Sequence, residues 1–175
     1  MELRFVTPDL RRLDEVGAEV LACGVFSDVL PPHGTAGLLD FRLAGLVSRL
    51  LEDGFLTAQR GEVMMIPLRP KLPFDKALLF GLGERSSFDD GAFRDVTAHL
   101  LRAMQELCAR SAVVELPGRF GAAIDPQRAA DILLDLAGGH AEHDVWTLVE
   151  SSDAQKQITA YMTEQRRRDR RVVLR

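Results

Sequence analysis

The chain has 175 residues, of which 46% are hydrophobic and 27% charged, with a formal net charge of -4. This composition excludes an intrinsically disordered chain, and the acidic balance excludes a protein whose whole surface binds nucleic acid. No apolar run approaches the roughly 20 residues that cross a bilayer, and the N-terminus has no secretory core. We therefore expect a soluble, cytoplasmic protein. Its two cysteines, Cys23 and Cys108, lie outside any CxxC spacing and are expected to be buried free thiols.

The first half of the sequence predicts strands around one long helix. Short apolar runs rich in β-branched residues indicate four strands, at residues 3–7, 19–26, 62–68 and 76–82. Apolar side chains recur at steps of three and four through residues 36–52, which indicates one amphipathic helix that ends at Asp53 and Gly54. The strand at 76–82 is almost entirely apolar, which is typical of a sheet covered by helices on both faces.

Helices and strands alternate in the second half of the sequence. Ser87 or Asp89 can cap a helix that reaches Cys108, and Asp125 followed by proline begins another that ends near residue 137. A last helix begins at Asp153 and runs into the arginines. The expected strands are at residues 112–116, 145–150 and, as a final edge strand, 172–174. This alternation predicts an α/β fold with a mixed, mostly parallel sheet flanked by helices.

The turn after the 76–82 strand is the leading candidate for a ligand site. Between a strand and a helix, backbone N–H groups and a helix N-terminus can bind a phosphate. The turn lacks the third glycine of the dinucleotide-binding motif, and Glu84 would repel an anion, so a purely structural turn is the alternative. The residues that would bind the ligand are Gly81, Gly83, Arg85, Ser86 and Ser87.

The C-terminus carries a concentrated positive charge. Residues 165–175 contain six arginines and one aspartate, so the rest of the chain is acidic. We therefore predict a single domain at residues 1–165 and a basic tail at residues 166–175. The tail could contact nucleic acid or a protein partner, or form the solvated end of a helix. The contact residues would be Arg166, Arg167, Arg168, Arg170 and Arg171.

Signatures of catalysis are missing from the sequence. His140 and His143 lie three residues apart beside acidic residues, which is compatible with zinc, although a solvated loop after a helix is the simpler interpretation. There is no GxSxG or HExxH motif, and Cys23 lies in a predicted buried strand, where a thiol is inert. The chain contains no asparagine, a common residue for oxyanion and base recognition. We expect no catalytic residue, no cofactor and no metal.

Three blocks of sequence resemble a known family. They are LDFRLAGLVSRLLEDGF at residues 39–55, GEVMMIP at 61–67 and ALLFGLGER at 77–85. Their order and spacing resemble the N-terminal domain of M17 leucyl aminopeptidases, as do the helix at 89–109 and the strand at 113–117. The resemblance implies a three-layer, macro-domain-like α/β fold, in agreement with the alternation of elements.

The resemblance extends to the fold and not to the activity. In the M17 family the peptidase chemistry belongs to a separate C-terminal domain that binds two metal ions and carries an NTDAEGR signature, which this asparagine-free chain cannot contain. ADP-ribose-binding macro domains use asparagine-containing, glycine-rich loops that are also absent. Because the fold resemblance is present and every catalytic signature is missing, we expect a non-catalytic, stand-alone bacterial relative that acts in protein assembly or regulation, and self-association is expected because M17 enzymes are oligomers.

Two alternative functions stay open at this stage. One is a binding module for a phosphate-bearing metabolite or nucleotide at the turn of residues 81–87. The other is contact with nucleic acid through the arginine-rich tail, as some bacterial members of the resembled family contact DNA.

Overall fold

The computed structural model describes residues 2–120, 123–137 and 145–173, which contain one six-stranded sheet. The strands lie in the order β1-β6-β5-β2-β4-β3. Strand β3 is antiparallel to β4, and every other neighbouring pair is parallel, which confirms the mixed, mostly parallel sheet. The strands are β1 (Glu2–Val6), β2 (Ala18–Phe26), β3 (Val63–Pro67), β4 (Phe74–Gly83), β5 (Ser111–Val114) and β6 (Val145–Val149).

Helices cover both faces of this sheet. Three short helices pack on one face and two longer helices on the other, while the C-terminal helix packs beside the second of these. On the first face lie α1 (Leu10–Glu15), α2 (Gly34–Arg42) and α3 (Leu46–Glu52). On the second face lie α4 (Asp90–Glu106) and α5 (Pro126–Ala137), with α6 (Ser152–Val173) beside α5.

The core is built from alternating side chains of the strands and from apolar stripes on the helices. Successive side chains of β2 enter opposite layers, so Ala22 packs with the α4 and α5 layer and Cys23 with the α2 and α3 layer. Helix α4 presents an apolar stripe that includes Phe93 and Val96 to the sheet. Its first turn is capped by the carboxylate of Asp89, which accepts the N–H of Ala92 at 2.8 Å.

The prediction of one helix over residues 36–52 is wrong, because the chain reverses between α2 and α3. Ala44 and Gly45 have φ angles of 56° and 77°, in the left-handed region that ends a helix. The buried carboxylate of Asp40 then accepts the N–H of Ser48 at 3.0 Å and its hydroxyl at 2.6 Å. The apolar spacing continues across the reversal because both helices bury their leucines and valines against the same layer.

Two short stretches also differ from the prediction. Helix α1 lies between the strands predicted at residues 3–7 and 19–26, where no helix is predicted from the sequence, and the carboxylate of Asp9 accepts the N–H groups of Arg11 and Arg12 at its start. The prediction of an edge strand at residues 172–174 is wrong, because α6 continues to Val173. Helix α6 also runs through residue 165, so the division between domain and tail stays a prediction. Within the described ranges, no helix is long and apolar enough to span a membrane.

The two cysteines occupy different environments. Cys23 is buried in β2, as expected, and burial raises the pKa of its thiol. Cys108 is exposed, so the prediction of a buried thiol is wrong there. It follows the end of α4 with a φ of 51°, in the left-handed conformation typical of a helix C-terminus, so it lies beyond the helical residues that pack on the core.

Candidate functional site

The carboxyl ends of the five parallel strands meet at one edge of the sheet. In open α/β sheets, the crevice outside these ends is where ligands bind. In this chain, a cleft of about 530 Å³ opens there between the ends of β2, β4 and β5 and the loops that follow them. Its lining comprises Gly24, Val25, Phe26, Val29, Pro32, His33, Leu82, Arg85, Glu115, Gly118 and Phe120.

Glu115 is the buried acidic group of this cleft. It directly follows β5, and its N–H donates to the carbonyl of Ala22 at 2.9 Å, which extends the pairing with β2. Its carboxylate oxygen Oε2 accepts both the N–H and the hydroxyl of Thr35, each at 2.7 Å. Thr35 lies in the first turn of α2, so the carboxylate satisfies an N–H at the start of that helix. Only 6% of Glu115 is exposed, and burial raises its pKa to about 7.

Gly34 allows the chain to pass this close to the carboxylate. It has a φ of 63°, and a Cβ at this position would lie 2.7 Å from both carboxylate oxygens of Glu115 and from the Cβ of Phe120. Any side chain would therefore collide with the cleft floor. His33, beside it, packs edge to face on Phe120 with ring centroids 5.9 Å apart. The loop after β2 is thus fixed against the loop after β5.

A buried ion pair lies beside the cleft, at the carboxyl ends of β5 and β6. Arg119 donates to both carboxylate oxygens of Glu150 at 2.7 and 3.0 Å, and it also donates to the carbonyl of Ile124. The two charged side chains are 8% and 4% exposed. This pair lines a second, more open groove of about 740 Å³ that shares Glu115 and Phe120 with the cleft. The guanidinium of Arg119 is therefore already committed to groups of its own chain.

The predicted glycine turn has its backbone groups occupied in the same way. The N–H of Gly81 donates to the carbonyl of Glu62, and the N–H of Gly83 donates to the carbonyl of Ala58, each at 2.9 Å. A Cβ on Gly81 would lie 2.0 Å from the carbonyl oxygen of Gln59. These glycines thus allow residues 57–62 to pack against the end of β4, which accounts for them without a ligand.

The three residues after the turn form a single, exposed 3-10 turn. The N–H of Arg85 donates to the carboxylate of Asp28 at 2.9 Å, and the N–H of Ser87 donates to the carbonyl of Glu84 at 3.1 Å. The hydroxyl of Ser87 accepts from Arg60, and Ser86 does not line the cleft. Of the predicted phosphate-binding residues, the cleft therefore receives only Arg85. Phosphate binding at this turn stays a prediction.

Two other predicted sites fall where the structure does not describe side chains. His140 and His143 lie in residues 138–144, outside the described ranges. The tail arginines continue helix α6, but their side chains also lie outside the described part of the chain, so their contact with nucleic acid or a protein stays a prediction. Among the residues that are described, no group of three or more His, Cys, Asp and Glu side chains could hold a metal ion.

Sequence reasoning missed the charged residues that shape the cleft. Glu115 and Glu150 each come directly after an apolar strand, and Arg119 follows four residues after the first of them. The available signal was the position of an acidic residue at the carboxyl end of a parallel strand, where side chains of neighbouring strands converge. The sequence could not show which of these charges would pair.

The sheet order, the two helix layers and the cleft define a macro-domain-like α/β domain. A solved structure with this fold is the Trypanosoma brucei macrodomain in complex with ADP, with a TM-score of 0.70 and 16% identity over 91% of this chain and 67% of that one. Tomato leucine aminopeptidase, as its K354E mutant, matches with a TM-score of 0.64 and 14% identity over 93% of this chain and 35% of that one. At these identities the likeness shows the fold alone.

The chain belongs to the cytosol aminopeptidase family through its N-terminal domain. The model described as "Cytosol aminopeptidase family, N-terminal domain" matches residues 23–137. A relative is the probable cytosol aminopeptidase of Thermosynechococcus vestitus, which is 33% identical over 116 residues, 63% of this chain and 23% of that protein. The chain thus spans about a quarter of the length of the curated relative, and the resemblance seen in the sequence is confirmed.

Proposed function

We propose that this chain is a non-catalytic domain of the M17 N-terminal type that acts by binding other protein chains. One observation carries the proposal: strand β3 ends the sheet with no charged side chain over Val63–Pro67, and no strand of the described residues pairs with its outer edge. Proteins usually protect such an edge with charges, prolines, bulges or a covering loop, and of these β3 has one proline, at its last residue. An uncharged, unpaired edge is a surface that another chain can extend.

The cleft supports the non-catalytic part of this proposal. Glu115 in the cleft accepts two hydrogen bonds from Thr35, and Glu150 and Arg119 in the neighbouring groove bond to each other, so these three side chains are engaged by groups of their own chain. The match to relatives covers their N-terminal part alone. The names of those relatives also support a cytoplasmic location, which remains part of the proposal.

Site-specific photo-crosslinking tests protein binding at this edge. A photoreactive phenylalanine analogue replaces Met65, which is 58% exposed in β3. A matched control carries the analogue at Glu106, an exposed position at the end of α4. We expect protein adducts from position 65 and none from position 106 when the chain is irradiated in bacterial cells. If position 65 gives no adduct with any protein, this function is wrong.

A second candidate function is binding of a phosphate-bearing nucleotide in the cleft. The observation that favours it is that Arg85 lines the cleft together with the apolar residues Phe26 and Val29, in a fold shared with a macrodomain solved with ADP. Arginine is suited to phosphate geometry, and the aromatic and aliphatic wall suits a base.

Calorimetric titration with ADP tests this second candidate. We expect saturable binding that Arg85→Ala weakens at least about tenfold, because one charge-assisted contact is lost. Arg102→Ala, at an exposed position on α4, is the control and should leave the affinity unchanged. A substitution of Gly83, such as Gly83→Asp, is less informative than Arg85→Ala. Gly83 has a φ of 75°, so a side chain there would strain the turn, and a loss of affinity would not identify a ligand contact. Equal affinity of the Arg85→Ala variant and the parent chain would exclude Arg85 as a phosphate ligand.

A further inference from the structure

We infer that the protein forms a symmetric dimer in which β3 pairs antiparallel with β3 of a second copy, joining two six-stranded sheets into one. This inference rests on the proposed function and names the partner of the same edge. Its basis is the backbone geometry of β3, which makes the edge complementary to itself.

The directions of the backbone groups follow from the pairing with β4. Glu62 accepts from the N–H of Gly81, and Leu68 donates to the carbonyl of Asp75, at 2.9 and 3.0 Å. In an antiparallel pair, alternate residues point their N–H and C=O to opposite sides. Even-numbered residues of this stretch therefore bond to β4, and Val63, Met65 and Pro67 direct their backbone groups outward.

A two-fold axis at Met65 matches these outward groups. Met65 is the midpoint of β3, so pairing about it overlaps the two strands along their full length. Each Met65 N–H then meets the Met65 carbonyl of the second copy, and each Val63 N–H meets the carbonyl of Pro67. Pro67 has no N–H, so every outward N–H of the two strands finds an acceptor.

The side chains are compatible with the same pairing. Opposite each other on one face come the two Met65 side chains, which are 58% exposed in the single chain and would shield one another from water. In this register Glu62 lies opposite Leu68, and Gly61 opposite Arg69, so no like charges face each other. The other outer strand, β1, carries Glu2 and Arg4 among its five residues, so the apolar edge is specific to β3.

The size of the contact sets the expected affinity. A five-residue pairing lies at the small end of specific interfaces, so we expect a dissociation constant in the micromolar range. Sedimentation equilibrium of the full chain from about 5 to 200 µM should then show a reversible monomer–dimer equilibrium. A chain that stays monomeric throughout that range overturns the inference.

Two substitutions of Met65 test whether β3 forms the dimer contact. Met65→Pro removes an outward N–H and leaves the hydrogen bonds to β4 in place, because position 65 does not bond to β4. Met65→Lys sets two like charges opposite each other across the axis. Each should raise the dimer dissociation constant at least about tenfold. Phe41→Lys, at an equally apolar position on α2 that is 74% exposed, should leave it unchanged.

The controls separate this inference from the proposed function. Circular dichroism checks that each variant is folded, and if the proline variant is not, the lysine variant decides. Dimers of unchanged affinity in folded Met65 variants overturn the inference. Photo-adducts at position 65 that join two copies of the chain support both the function and the dimer. Adducts only with a different protein overturn the dimer and leave the proposed function standing.

Discussion

The carboxyl group of Glu115, at the end of β5, has a pKa close to neutral pH. The residue follows three buried apolar positions of β5, so the course of the strand carries its side chain beneath the loop after β2. Burial raises its pKa, and the two hydrogen bonds from Thr35 partly offset that rise. Arg119 also favours the ionised form, while Glu150 opposes it. The outcome is a carboxyl group whose charge changes near neutral pH.

This pKa predicts that the protein loses stability as the pH rises towards neutrality. The folded pKa of Glu115, about 7, lies above the ordinary value of 4.5, so the folded state binds the proton more tightly than the unfolded state. The stabilisation is complete below pH 4.5 and is lost as the pH rises through 7, by up to about 3 kcal/mol. In Glu115→Gln, whose amide oxygen can accept the same bonds, that part of the pH dependence should vanish. Urea unfolding of both proteins at pH 5 and pH 8 measures it.

The test compares how the free energy of unfolding changes with pH in the parent chain and in Glu115→Gln. Other groups titrate in the same pH range and contribute equally to both. If the free energy of unfolding changes with pH by the same amount in the parent chain and in Glu115→Gln, the pKa of Glu115 is not displaced as described.

At the scale of elements, ion pairs tie the helices and loops together with very different strengths. Arg94 and Asp135 join α4 to α5 at 2.8 Å, but both side chains are about half exposed, and such pairs contribute little. Arg119 and Glu150 join the loop after β5 to the end of β6 in a nearly dry environment. There, removing one partner leaves an uncompensated buried charge.

These two pairs give a matched prediction. Arg119→Ala should lower the free energy of unfolding by about 3–5 kcal/mol, because Glu150 would be left buried without its partner. Arg94→Ala should cost less than about 1 kcal/mol. Urea unfolding at pH 7 compares them directly. Similar losses in the two variants would mean that water reaches the Arg119 pair and screens it.

At the scale of the whole molecule, the chain corresponds to one part of its longer relatives. It matches the N-terminal domain of the family and about a quarter of the length of the curated relative. This domain has two candidate binding surfaces, the outer edge of β3 and the cleft. Its described residues contain no cluster of metal ligands.

We accordingly predict that the purified chain does not hydrolyse leucyl amide substrates. Assays with added Mn²⁺ or Zn²⁺ should give rates equal to those of a buffer control, because the chain has no asparagine and cannot carry the asparagine-containing signature of the family's catalytic domain. Arg119→Ala protein, purified in parallel, controls for a contaminating peptidase. Metal-dependent hydrolysis that survives repurification and disappears with a point substitution would contradict a non-catalytic role.

Much of this fold could be predicted from the sequence, because local periodicity records which faces are buried. The continuous apolar run of β4 predicted a sheet covered on both faces, and of the two predicted caps of α4, Ser87 and Asp89, the structure uses Asp89. The same periodicity failed at residues 43–45. There the reversal between α2 and α3 depends on a left-handed backbone and on Asp40, whose role as a cap is visible only once Ser48 folds back on it.

The sequence by itself determined the α/β class, the family and most element positions, since these depend on patterns within a few residues. Only the tertiary structure decided what the charged residues do. Glu115 is 80 residues from Thr35 in the chain, and Arg119 is 31 residues from Glu150, so their pairing depends on the order of strands in the sheet. The position of β3 at the outside of that sheet was established only by the strand order, although Pro67, which has no N–H to donate, already favours an edge strand.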